Sequence, residues 1–360
     1  LPFREGRRFG VRPGHTPSAA ANPPHISLMT HYSLLDLVPV VEGGNVAQAL
    51  ANAADLAAHV ERLGFTRYWT AEHHGMTGIA SAATSVVLAH IGHATSTIRI
   101  GAGGIMLPNH APLAIAEQFG TLDALFPGRI DLGLGRAPGS DQIVARAMRR
   151  NLDSDANAFP QDVVELQSYF ADDGQTGIRA TPGAGADVSL WILGSSTFGA
   201  QLAAMLGLPY AFASHFAPDA LMAAIDIYRR SFRPSAALAK PYVMAGFNVF
   251  AADSDDEAEL LASSQQQAFV ALRTGNPRQL PPPVAGYRAS LGPQGAAILD
   301  HVLSCSAVGG PAKVAREIAA FVARTGVDEL MIASSIYDHA ARKRSLEITA
   351  QAMRELALAA

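Results

Sequence analysis

The sequence predicts an α/β fold, a (β/α)8 TIM barrel with insertions. Two observations lead there. Eight strand-then-helix units follow one another along 360 residues, and such alternation calls for a parallel sheet covered by helices. Eight units favour a closed barrel over an open doubly wound sheet. The composition, 49% hydrophobic and 16% charged, excludes a disordered chain and suits a large buried core. A barrel of this length is often one domain.

Tyr32 to Leu37 reads as a short buried strand, followed by a turn at Gly43-Gly44. Asn45 then caps an Ala- and Leu-rich helix to about Leu63, which Gly64 stops. Phe65 to Thr70 is the second strand, rich in aromatic and β-branched residues, and Ser81 to Thr95 the second helix. Ile98 to about Leu107 is the third strand, ahead of a helix from Pro112 to Leu125 with proline near its start. Ile130 to Gly135 is the fourth. Leu190 to Leu193 precedes a helix from Thr197 to Leu206. Tyr210 to Ala213 precedes one from Pro218 to Arg230, and Val243 to Ala251 one from Asp253. Pro311 opens a helix, Glu329 to Ala333 is the eighth strand, and Ala340 to Leu358 the last helix. Residues 150–188, and 265–305 with its Leu280-Pro281-Pro282-Pro283 run, break the rhythm and read as insertions on one barrel. Residues 1–30 read as an irregular N-terminal extension and 31–360 as the barrel domain.

Several function classes fall away. The formal net charge is −4 without a long basic run, which argues against a nucleic-acid binder. No window approaches the ~20 apolar residues that span a bilayer. Cys305 is the sole cysteine, so neither an intramolecular disulfide nor a multi-thiolate metal site can form. Leu1 to Pro24 carries four arginines but no apolar signal core. A cytoplasmic protein is expected.

Barrel chemistry sits at the carboxyl ends of the strands. After the second strand comes Ala71-Glu72-His73-His74-Gly75. Paired histidines beside a carboxylate suit proton transfer. A polar structural loop explains them as readily, and a metal site less well, since adjacent residues point apart and no third ligand lies near. Gly103 and Gly104 interrupt the third strand, as glycine does at a bulge, a close ligand approach or a tight packing point. His110, just beyond, is either a substrate contact or a surface residue. Arg136 ends the fourth strand, where its planar fork suits an anion. Gly194-Ser195-Ser196 precedes a helix, giving either an anion site or plain capping. After the eighth strand, Tyr337 and His339 stand at the rim for substrate; alternatively, Asp338 caps the last helix and His339 lies in its first turn.

These residues, in this order, resemble the bacterial luciferase-like flavin-dependent monooxygenase family, single-chain oxidoreductase branch. The resemblance runs from about Tyr32 to Ala352. Its blocks are Ala71 to Gly75, Gly101 to Pro108, Phe126 to Arg136 and Val308-Gly309-Gly310-Pro311. It implies a TIM barrel that binds reduced flavin mononucleotide (FMN) at its carboxyl face. His73 matches the active-site histidine and Glu72 its neighbouring carboxylate, with Glu72 orienting His73. Gly103-Gly104 matches a non-proline cis peptide against the flavin ring. Arg136 and Ser196 match phosphate ligands. Ser195 stands where relatives can carry Glu, which puts its own role in question. The implied reaction oxygenates a small, apolar organic substrate with O2. Its reduced flavin comes from a separate reductase, since no nicotinamide-binding domain is visible. A deazaflavin-dependent hydride transfer and a non-catalytic flavin binder are the rival readings, and homo-oligomerisation is left open.

Overall fold

A computed structural model describes residues 31–136, 147–148, 158–172, 174 and 177–358. The N-terminal extension and part of the 150–188 stretch lie outside the described residues. The elements in order are β1 (His31–Leu35), α1 (Val46–Leu63), β2 (Arg67–Thr70), α2 (Thr84–Ala94), β3 (Arg99–Met106), α3 (Pro112–Leu125), β4 (Ile130–Gly135), α4 (Phe159–Ala171), β5 (Ser189–Gly194) and α5 (Thr197–Leu206). They continue with β6 (Tyr210–Phe212), α6 (Leu221–Ser231), β7 (Val243–Ala251), α7 (Asp255–Arg273), α8 (Tyr287–Ser290), α9 (Gly292–Val302), β8 (Ser306–Gly309), α10 (Pro311–Thr325), β9 (Glu329–Ala333) and α11 (His339–Leu358).

All ladders between these strands are parallel. The ring runs β1-β2-β3-β4-β5-β6-β7-β9 and closes back on β1. It is the eight-stranded barrel that the alternation predicts. The ninth strand, β8, is not expected from that alternation. It lies outside the ring, paired with the last four residues of β7, Asn248 to Ala251. Four residues ending in glycine carry too little pattern to read as a strand.

Local chemistry sets the helix ends. The Asn45 side chain accepts from the Gln48 N–H at 2.9 Å, and Gly64 ends α1 at φ 86°. That left-handed turn suits glycine. Helices and outward strand faces share one large core. The barrel interior is layered. Arg67, Asp131 and Glu329 pair at its amino end. Above them Leu35, Trp69, Trp191, Ala211, Met244 and Met331 form a second apolar cluster. The 265–305 stretch supplies α8 and α9. It also carries Leu280 across the β1–α1 loop, where Leu280 bridges Val41.

Candidate active site

Glu72 organises the turn after β2. It is 1% exposed. Its Oε1 accepts from His74 Nε2 at 2.6 Å and His110 Nε2 at 2.8 Å, and its Oε2 from the Met106 N–H at 2.8 Å. Its own N–H donates to the Gly104 carbonyl at 3.0 Å, tying the turn to β3. Burial alone would raise its carboxyl. Hydrogen bonds from His110, Met106 and His74 outweigh that and hold it below the ordinary value.

His73 is half-buried. Its pKa is lowered, chiefly by burial; His74 adds to the effect and the Glu72 charge opposes it. The ring is therefore mainly neutral near pH 7 and able to take a proton. Glu72 orienting His73 needs correction: the carboxylate holds His74 and His110 instead. Adjacent residues in an extended turn point apart, so Glu72 reaches the next histidine but one. His74 and His110 are thereby fixed as neighbours of one carboxylate.

The peptide between Gly103 and Gly104 is cis, and the β3–β4 register shifts between Gly103 and Ile105. Both glycines have a packing reason. A Cβ at Gly103 would come 2.7 Å from the Trp69 ring, and one at Gly104 2.4 Å from the Gly133 carbonyl oxygen.

Arg136, at the end of β4, lays its guanidinium over the Phe198 ring, 4.1 Å from the centroid. Phe198 is in the first turn of α5. Ser196 is that helix's N-cap, yet its hydroxyl makes no capping bond. Ser195 and Ser196 are exposed. The Gly194 carbonyl accepts from the Ala213 N–H at 3.0 Å, which joins this strand end to the next. The Arg136 guanidinium, the exposed Ser195 and Ser196 and the first N–H groups of α5 thus lie at the β4 and β5 ends, a donor set that fits a phosphate group.

The β9 end divides. Tyr337 is half-buried and donates to the Glu42 carbonyl at 2.8 Å, which keeps it at the rim. His339 does not join the site. Its Nε2 pairs with Asp55 of α1 at 2.7 Å, beside Lys343. Asp338 caps α11 through the Ala341 N–H at 2.8 Å. Once Asp338 is the cap, helical geometry turns the next residue outward.

Sequence reasoning misses the Met106 N–H, the Phe198 platform and His215. Only His215 leaves a trace, as a histidine three residues past β6 in Ala213-Ser214-His215-Phe216. Among the described residues no three His, Cys, Asp or Glu side chains form a group that could hold a metal.

Comparison with known proteins follows the same lines. A family model described as luciferase-like monooxygenase matches residues 30–329. A luciferase-like monooxygenase of Escherichia coli K12 is 51% identical over 326 residues, covering 90% of this chain and 97% of its own. Crystalline apo-MsnO8 superposes with a TM-score of 0.80 at 31% identity, covering 90% of this chain and 98% of its own. The oxygenating constituent of 3,6-diketocamphane monooxygenase from Pseudomonas putida, solved with FMN, shares the fold. Its TM-score is 0.70 at 17% identity, over 91% of this chain and 98% of its own.

Proposed function

The chain belongs to the luciferase-like monooxygenase family, and within it we propose a flavin-dependent monooxygenase. It takes reduced FMN from a separate flavin reductase and, with O2, oxygenates a small, apolar organic substrate. The observation that carries this reading is the Arg136 guanidinium on Phe198 beside the uncapped Ser196. This is a phosphate-shaped donor set at the carboxyl face of a barrel.

Arg136, Ser196, Ser195 and Gly194 would hold the phosphate. Gly103 and Gly104 would let the isoalloxazine approach bare backbone. Bound reduced FMN would supply the two electrons with which O2 is activated. This chain's own residues do the rest. Neutral His73 takes up or returns a proton at its ring nitrogen. Glu72 keeps the His74 and His110 rings in place beside it, where they and Tyr337 can meet substrate. The apolar barrel interior limits water at the reacting centre.

Anaerobic titration with reduced FMN and, in parallel, with reduced deazaflavin tests the cofactor. An oxygen electrode then tests the reaction. Tight FMN binding with substrate-dependent O2 uptake is expected. Preference for deazaflavin without O2 uptake would establish hydride transfer instead, and FMN binding without any turnover would leave a binder.

A further inference from the structure

His215 follows β6, four strands from β2 around the ring of eight, so it faces the Glu72–His73–His74 turn across the barrel mouth. Its ring lies on the inner side of β7. Met244 belongs to the interior cluster with Trp69 and Met331, and Gly246, two residues on, presents the same face. A Cβ at Gly246 would lie 2.0 Å from His215 Nδ1, against 2.9 Å from Cγ and 3.0 Å from Cε1. The Nδ1 corner therefore points at the Gly246 methylene, and the Cδ2–Nε2 edge points away from β7.

The backbone here is clamped. Ser214 Oγ donates to the Gly246 carbonyl at 2.6 Å, and Asn248 Nδ2 to the His215 carbonyl at 2.8 Å. Nδ1 is buried and has no hydrogen-bond partner among the described residues. A proton there would be driven against the methylene; a lone pair is not. The neutral ring must then carry its proton on Nε2. Burial pushes its pKa down to about 4, so it stays neutral near pH 7 and the Nε2–H persists.

We propose that His215 is a fixed Nε2–H donor of the barrel mouth and binds a carbonyl oxygen of the occupant. The flavin ring and a carbonyl-bearing organic substrate share that chemistry. Only the identity of the occupant rests on the flavin reading above.

The test uses the full chain labelled with 15N-histidine, with the His215 signals identified by their loss in His215→Gln. Without ligand the spectrum should show the Nε2–H tautomer; the Nδ1–H tautomer would overturn the proposal. Reduced FMN is then added anaerobically, followed by cyclohexanone as a carbonyl probe. A shift of the Nε2 signal on the first addition assigns the flavin carbonyl, and a shift on the second alone assigns the substrate. A signal unmoved by both refutes the donor role. FMN binding is followed separately by fluorescence. Its failure sinks the flavin reading, while the tautomer still tests His215 independently.

Variants give a second readout. Glutamine places an amide N–H where Nε2–H stands; asparagine places it at Nδ1. His215→Gln should keep wild-type affinity for the probe that moved the signal. His215→Asn and Gly246→Ala, which displaces the ring, should lose about three- to tenfold, as for one neutral hydrogen bond. Equal affinities for the Gln and Asn variants would reject the assignment.

Discussion

At the residue scale the site separates holding from reacting. Arg136 holds. Its guanidinium lies over the ring of Phe198, in the first turn of α5, 4.1 Å from the centroid. Arg136→Ala should weaken reduced-FMN binding about ten- to hundredfold, the value of one charge-assisted contact. Anaerobic fluorescence titration measures it, and unchanged affinity would remove Arg136 from the site. His73 reacts. His73→Ala should bind reduced FMN normally yet form product ~10²–10⁴-fold more slowly, the usual worth of a positioned proton carrier. Its pKa lies below the ordinary value of about 6.5 because of burial. The neutral ring is lost only as pH falls through that lowered value. The acid limb of the rate profile should therefore lie below about pH 6.5 and vanish in the variant. A limb that persists unchanged would assign it to another group. These two proposals could be made from the sequence because histidine and arginine at strand ends carry their chemistry in their identity. The Met106 N–H could not be read there, since any residue supplies one. For His339 the sequence left a rim contact and a first-turn position both open, because chemical type says nothing about which way a helix turns it; the structure has the second.

At the scale of elements, the β3–β4 pair shapes the floor of the mouth. Gly104 sits where a Cβ would come 2.4 Å from the Gly133 oxygen and 2.9 Å from its carbon, both backbone atoms of a buried strand. Nothing flexible can give way. Gly104→Ala should cost roughly 1–3 kcal/mol, as overpacking does, and weaken FMN binding by spreading the two strands. Gly194, also at a strand end, has its nearest neighbour 3.8 Å from the added Cβ. Gly194→Ala should stay within about 0.5 kcal/mol of wild type. Urea midpoints at unchanged slope compare them; equal losses would mean that packing does not explain the Gly103-Gly104 pair. The order of the ring strands and their helices was readable because apolar strand runs alternate with helix-length segments, the stretch from the Asn45 cap to Gly64 being the clearest. The strand β8 was not. Its partner is the far end of β7, more than fifty residues earlier, and such pairing leaves no local period in the sequence.

The whole molecule is anchored at the end of the barrel opposite the site, where charge closes the interior. Arg67 donates to Asp131 Oδ2 at 2.8 Å and to Glu329 Oε1 at 3.0 Å, and both carboxylates are fully buried. Arg99 gives Asp131 a second cation at 2.7 Å, and Trp69 donates to it at 3.0 Å. Glu329 has no other cation among the described residues: Tyr242 donates at 2.9 Å and Ser33 also donates. Two guanidinium groups thus balance two carboxylates, and Arg67 is the shared member. Removing it strands the Glu329 charge in the interior, so Arg67→Met should lose about 3–5 kcal/mol. Arg99→Met should lose less, because Asp131 keeps Arg67 and the Arg99 side chain is already 27% exposed. Urea unfolding of both variants beside wild type measures the differences. A deficit below about 1 kcal/mol for Arg67→Met, or one no larger than that of Arg99→Met, would show that the buried carboxylates do not depend on Arg67.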